Sequence, residues 1–342
     1  MEVPCKDVAR SNDTLGNRPR ARVHRRPRHS VVSFFAGCGG LDLGFLGGFE
    51  YMGSRLNPLP FDIVVAYDSD EKCVSTYNAN IARHAEVRDL AVSSASDMPG
   101  ADLLVGGFPC QDFSSCGPKA GLKSNRGRLY QTLVKYMTSH RPKVVVAENV
   151  PHLARMGGGS VLDTIVKDLE GAGYRFEVWN LSAPDYGVPQ KRSRLFFIGV
   201  RDDLSGKPVK PQPTHATAHR SIDWAIANLE EVTDETVSNQ SQYFRASRAK
   251  KGNGQGDETS RAGRPSYTVR ANAKSRIQFH YALPRRLTVR ECARLQTFPD
   301  SFAFQFSATT NVMQIGNAVP PLLAYHVAKS IAAFMNRIVD GR

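Results

Sequence analysis

From Val31 to Val200, short apolar runs alternate with amphipathic stretches whose apolar residues recur every three to four positions. The runs Val31 to Phe35, Asp62 to Tyr67, Leu103 to Val105, Lys143 to Ala147, Phe176 to Leu181 and Leu195 to Val200 predict strands. Glu71 to Arg83, Gly127 to Ser139 and Ser160 to Ala172 predict helices between them. Strand and helix in turn is the pattern of βα units, so an α/β fold is expected, with a doubly wound, mostly parallel sheet. After Val200 the rhythm stops. The chain to about Pro284 is polar, with a Gly/Ser/Lys-rich passage around Ala249 to Gly263, and reads as a second, smaller, irregular domain. Helical spacing returns at Thr288 to Phe298 and at Pro321 to Arg337, which brings the C-terminus back to the first domain. The expected division is a basic arm at 1–30, a first domain at 31–200, a second at 201–310 and a returning segment at 311–342.

The arm carries Arg18, Arg20, Arg22, Arg25, Arg26 and Arg28 among prolines and few apolar residues, so burial cannot offset the entropy of ordering it. Over all 342 residues the formal charge is +13 at pH 7. Basic surface attracts phosphate, which favours a polyanionic partner; a basic enzyme without one is the alternative that charge leaves open. The six cysteines form no CxxC pair, so neither a zinc cluster nor a small-protein disulfide framework is indicated, and a reducing cytoplasmic setting fits. No uninterrupted apolar run reaches the ~18 residues that span a bilayer, so no membrane role is expected.

Several segments place chemistry-bearing residues at predicted strand ends. In Gly106-Gly107-Phe108-Pro109-Cys110-Gln111-Asp112-Phe113-Ser114 a Gly/Pro-shaped turn presents Cys110 after a buried run, as a nucleophile would be; a cysteine there can equally be a packing residue. Phe35-Ala36-Gly37-Cys38-Gly39-Gly40 follows the first strand and opens a helix, where glycines let a cofactor approach the backbone, although the full dinucleotide spacing is missing. Asp68 ends the next strand and Asp89 a later short segment, positions suited to ribose hydroxyls and an adenine amino group, or to a surface carboxylate or cap. Glu148 closes another strand and should emerge at the same edge as Cys110; desolvated beside a substrate ring, its pKa should rise. Arg192 and Arg194, alternate residues before the last strand, should point to one side and bind phosphate or a carbonyl, with a solvated edge as the other reading. Gln314 through Pro321 reads, on its own, as a helix start.

Taken in this order, the segments resemble the bacterial-type DNA cytosine-5 methyltransferases over about Val31 to Phe334. Phe35, Gly37, Gly39 and Gly40 look like the family's first motif, Pro109-Cys110-Gln111 with Ser114 like its nucleophile motif, and Glu148-Asn149-Val150 like its base-binding motif. Gln190, Arg192 and Arg194 look like its Gln-x-Arg-x-Arg motif, Arg286 through Pro299 like the segment that organises the recognition domain, and Gln314 through Pro320 like the closing cofactor motif. At Asp68 the family more often has glutamate, so the charge is kept and the reach shortened. The resemblance implies a class I S-adenosylmethionine-dependent, Rossmann-like fold with a target-recognition domain at 201–310.

It further implies attack of the Cys110 thiolate on C6 of a flipped-out cytosine, with Gln111 beside it, Glu148 on the N3 and amino edge, and Arg192 and Arg194 at the ring carbonyl and near the thiolate. S-adenosylmethionine, leaving as S-adenosylhomocysteine, would be held by Phe35, Ala36, Gly37, Gly39, Gly40, Leu41, Asp68, Ser69, Asp89, Leu90, Pro109, Asn317, Ala318 and Val319; no metal is implied. Duplex DNA would meet Ser114, Ser115, Cys116 and Arg126 on a loop that closes over it. It would also meet Tyr243, Arg245, Arg248, Thr268 and Arg270 in the recognition region, most of these contacts going to phosphate and sugar. A monomer is expected, paired in function with a restriction endonuclease. Two alternatives remain: a transfer-RNA cytosine methyltransferase, whose Cys-Phe-Thr mark does not occur here, and a non-catalytic DNA-binding relative, which would have lost the nucleophile or the cofactor turn.

Overall fold

The computed structural model describes residues 28–109, 129–243, 258–271 and 278–339. The chain begins with β1 (His29–Phe34), α1 (Gly40–Leu46), a hairpin of β2 (Glu50–Tyr51) and β3 (Ser54–Arg55), β4 (Phe61–Asp68), α2 (Glu71–Asn80), β5 (Ala85–Val87) and β6 (Leu103–Gly107). There follow α3 (Tyr130–His140), β7 (Val144–Asn149), α4 (Ser160–Glu170), β8 (Tyr174–Ser182) and β9 (Ser193–Arg201). The remainder holds α5 (Ile222–Ile226), β10 (Glu258–Thr259), β11 (Gln278–Phe279), α6 (Val289–Leu295), α7 (Ala308–Asn317) and α8 (Pro321–Val339).

Seven strands form one sheet in the order β5-β4-β1-β6-β7-β9-β8. From β5 to β7 all neighbours are parallel, and β9 runs antiparallel to both β7 and β8. Only residues 183–192 separate β8 from β9, with no α-helix among them, which is too little chain for a parallel crossover. The chain runs outward from β1 through β4 to β5 and then returns to lay β6 on the other side of β1. The loops leaving β1 and β6 therefore diverge and open a crevice at the carboxyl edge of the sheet.

Successive residues of the central strands feed opposite faces. Val31, Leu103 and Val144 enter one core with α1 and α8, while Val32, Leu104 and Val145 enter the other with α3 and α4. β6 and β7 are apolar on both sides because both faces are covered, which is why they read as unbroken runs. A window within Ala308–Val339 is apolar enough to cross a bilayer by length and composition, yet Leu323, Val327 and Ile331 of α8 are fully buried in the first core. β1 starts two residues before the predicted strand: His29 is buried, pairs with Phe61 and hydrogen-bonds Asn336 of α8 at 3.0 Å.

A third core joins α5, α6 and Phe298, Phe302 and Phe304 to Ile315 of α7. Thr288 and Glu291 close a capping box at the start of α6. The buried Arg290 donates to the carbonyls of Ser238, Pro299 and Phe302, so one guanidinium ties two irregular segments to α6.

Under the turn that follows β1 lies a buried acid. Asp42 accepts from Ser33 Oγ at 2.8 Å and from the Tyr77 hydroxyl at 2.9 Å, and burial still pushes its carboxyl up to about 6. A carboxyl that holds its proton more tightly folded than unfolded makes stability fall as pH rises from about 4 to about 6. Asp42→Asn should flatten that part of the stability profile, a difference of roughly 3 kcal/mol across the window. Urea unfolding of both proteins at stepped pH measures it, and parallel profiles would refute the assignment.

Candidate active site

The crevice at the carboxyl edge is a cleft of about 410 Å³. Its floor is the turn after β1, where Phe35 and Gly37 take positive φ values of 54° and 56° before α1 begins. The Gly37 N–H donates to Asp68 Oδ2 at 2.8 Å and the Asp70 N–H to Asp68 Oδ1 at 2.9 Å, so the acid at the tip of β4 clamps the glycine turn. Burial raises the Asp68 pKa against the pull of those backbone donors. Asp70 in turn caps α2 through the N–H groups of Lys72 and Cys73. A Cβ on Gly37 would meet nothing within 4 Å, so the turn is open toward the cleft. One on Gly40 would lie 2.5 Å from the Val319 carbonyl oxygen, so the segment after α7 rests directly on the turn.

The opposite wall is built by β6 and β7. Their register sets Gly107 beside Glu148, and Asn149 Nδ2 donates to the Phe108 carbonyl at 2.9 Å, fixing the chain just before Pro109 on the cleft wall. Glu148 is 8% exposed, and Arg194 Nε sits 2.6 Å from its Oε1. Burial raises the Glu148 pKa, while Arg194 and then Arg192 pull it down. A proton-holding carboxyl beside a guanidinium can hydrogen-bond a heterocycle edge that offers both an acceptor and a donor.

Of the predicted cofactor residues, the cleft brings together Phe35, Ala36, Gly37, Gly40, Leu41, Asp68, Ser69, Pro109, Asn317, Ala318 and Val319. It does not bring in three others. A side chain on Gly39 would meet Tyr77 and Ile81, Leu90 is buried in the second core, and Asp89 is exposed with its Oδ1 accepting from the Ala91 N–H in a local turn. The motif reading missed Cys73 and Met313 on the lining; Cys73 lies three residues beyond Asp70, where the helix start brings it round to the cleft.

The two arginines part company. Arg194 lines the cleft, while Arg192, 3% exposed, is not on the lining and donates to the carbonyls of Val269, Gly316 and Ala318 at 2.8–3.0 Å. Both guanidinium groups lie near enough to Glu148 to act on it, and three carbonyls of the chain take the Arg192 terminal nitrogens. Thr268 Oγ1 donates to the Lys191 carbonyl, Lys191 Nζ lies over the Tyr267 ring, and Arg270 is half-buried. Tyr243 is 38% exposed beneath the Arg285 guanidinium. Cys110, Gln111, Ser114, Ser115, Cys116, Arg126, Arg245 and Arg248 lie outside the described residues, as does the arm before Arg28. Among the described residues no group of three or more His, Cys, Asp or Glu could hold a metal.

The family model for the C-5 cytosine-specific DNA methylases matches residues 29–333. The Type II methyltransferase M.BspRI of Lysinibacillus sphaericus is 33% identical over 91% of this chain and 83% of its own length. The Type II methyltransferase M.BsuRI of Bacillus subtilis is 34% identical over 90% of this chain and 80% of its own. In fold the chain is similar to the S. pombe Dnmt2 methyltransferase, with a TM-score of 0.65 and 18% identity over 90% of this chain and 99% of that one. It is similar also to the Entamoeba histolytica methyltransferase EhMeth, with a TM-score of 0.66 and 16% identity over 91% and 99%. The match across nearly all of the described sheet, cleft and returning helices places this chain in the C-5 cytosine-specific DNA methylase family.

Proposed function

We propose that this DNA cytosine-5 methyltransferase takes its methyl group from S-adenosylmethionine and works through a covalent bond between Cys110 and C6 of a cytosine rotated out of duplex DNA. The observation that carries the reading is the buried Glu148–Arg194 pair, on the same cleft wall where Pro109 precedes Cys110 in the chain. The donor fits the opposite side of the cleft. The Gly37 turn is open, Gly40 carries no side chain against residues 318–319, and Asp68 keeps lone pairs beyond the backbone bonds it accepts. Phe35, Gly37, Asp68, Ser69 and Asn317 would hold it. Bound there, S-adenosylmethionine supplies an electrophilic methyl carbon on its sulfonium.

The residues of the chain do the rest. The Cys110 thiolate bonds to C6, the C5–C6 double bond opens, and its electron pair makes C5 nucleophilic. Glu148, in its acid form, hydrogen-bonds N3 and so stabilises the electron-rich ring, while Arg194 faces the ring carbonyl. After C5 is methylated, loss of the C5 proton to a base restores the double bond and breaks the C6–S bond. Duplex DNA hides C5 and C6 in the stack, so the base must flip out to reach the cleft. The division into a catalytic unit at 31–200 and a recognition region at 201–310 follows from this reading. The Type II names of the relatives support a place in a restriction-modification system, in which methylation protects DNA from a partner endonuclease.

Cys110→Ala should abolish methyl transfer to DNA, whereas Cys116→Ser should retain most of it; full activity in the first variant would refute the assignment. The measurement is incorporation of labelled methyl into duplex DNA.

Glu148→Gln should lower the methylation rate by about 10²–10⁴-fold. Because burial raises the Glu148 pKa, the acid form that donates to N3 persists to higher pH than in a free glutamate and is lost as pH rises further, giving the wild-type rate an alkaline limb. That limb should vanish in the variant. A limb that survives in a single-turnover pH profile would assign it to another group.

A further inference from the structure

The segment 266–271 is sewn to the residues that lead into β9. Ser266 N–H donates to the Pro189 carbonyl and Lys191 N–H to the Ser266 carbonyl. Val269 N–H donates to Gln190 Oε1 at 2.9 Å, and Thr268 Oγ1 donates to the Lys191 carbonyl. The segment 316–319, which closes α7 and lines the cleft, is attached to the same place. Gln190 Nε2 donates to Gln296 Oε1, and Gln296 Nε2 donates to the Ala318 carbonyl.

One side chain spans both segments. Arg192 donates from Nη1 to the Val269 carbonyl and from Nη2 to the carbonyls of Gly316 and Ala318, all within 3.0 Å. The segments also touch without any side chain between them, since a Cβ on Gly316 would lie 2.3 Å from Ala271 N. On its other side the segment 316–319 rests on the glycine turn, where Gly40 leaves the same kind of space. A planar guanidinium is a rigid fork, so neither set of carbonyls can move by much without breaking bonds to the other.

We propose that Arg192 is a positioning residue that locks the segment 266–271 and the segment 316–319 into one unit, so that DNA and methyl donor each raise the affinity for the other. The inference rests on the functional reading above, in which Thr268 and Arg270 face DNA and Asn317 to Val319 face the donor. A ligand that orders one half of the unit orders the other, which leaves less entropy to be lost when the second ligand binds. Linkage then requires the two effects to be equal in size.

The test uses the full-length protein, S-adenosylhomocysteine as a non-reactive probe, and a duplex bearing a cytosine that the protein has been shown to methylate. Titration calorimetry gives the Kd of the probe with and without saturating duplex, and the ratio of the two is the coupling. In the wild type it should lie between about 5 and about 150. Arg192→Lys keeps the charge but offers a single ammonium to three carbonyls, and should bring the ratio to nearly 1. A role confined to holding the fold would lower melting temperature and both separate affinities while leaving the ratio unchanged. If Arg192→Lys does not fold, Thr268→Val, which removes one half-exposed tie, should lower the ratio by up to about fivefold, the worth of one hydrogen bond. A wild type that methylates DNA with a ratio of 1, or a ratio untouched in the folded variants, overturns the inference alone. A wild type that methylates no duplex overturns the functional reading and the inference with it.

Discussion

The parallel pairing of β1 with both β4 and β6 is the constraint on which the site depends. The registers set Phe34 opposite Tyr67 and Gly106, and Gly107 opposite Glu148. Four strand ends therefore finish in one row, with the Gly37 turn, Asp68, Pro109 and Glu148 along it. Residues from four separate parts of the chain reach one cleft because the chain reverses its winding direction at β1. A shift of one residue in any of these pairings would turn every side chain of that strand to the opposite face and take both cores with it.

The cleft has two chemically different sides. The glycine turn and Asp68 present backbone and a partly satisfied carboxylate, suited to the hydroxyl-bearing part of a ligand that approaches closely. The other wall buries a carboxyl against Arg194, where desolvation raises one pKa and the neighbouring charge restrains it. Such a pair is costly to maintain unless a ligand uses it, which is a physical reason to place the reacting base there. Arg192 lies behind this wall and contributes through the carbonyls it holds.

Much of the fold was legible because the central strands are buried on both faces and so appear as unbroken apolar runs, while α2 and α4 carry one apolar stripe. The two-residue strands β2, β3, β10 and β11 are too short to show periodicity, and β5 has three residues. Reading Gly37, Asp68 and Glu148 as site residues needed the ordered motifs together, while their strand-end positions were legible from the pattern. Roles set by distant backbone were not. Arg192 and Arg194 look equivalent in sequence, but the partners of Arg192 are carbonyls 77, 124 and 126 positions away. Asp89 has the order in the chain expected of an adenine contact, and one of its carboxylate oxygens accepts from the Ala91 N–H, a local bond that order in the chain does not reveal.

The central claim is that a thiolate from Cys110 bonds to C6 of a cytosine carried into this cleft. It is tested most directly by incubating the protein and S-adenosylmethionine with a duplex in which the methylated cytosine is replaced by 5-fluorocytosine, then mapping the product by mass spectrometry. Fluorine at C5 cannot leave as a cation, so the account predicts a stable protein–DNA adduct with the methylated base attached to the peptide that contains Cys110. An adduct on another residue, or none on a duplex whose unfluorinated form is methylated, would contradict it.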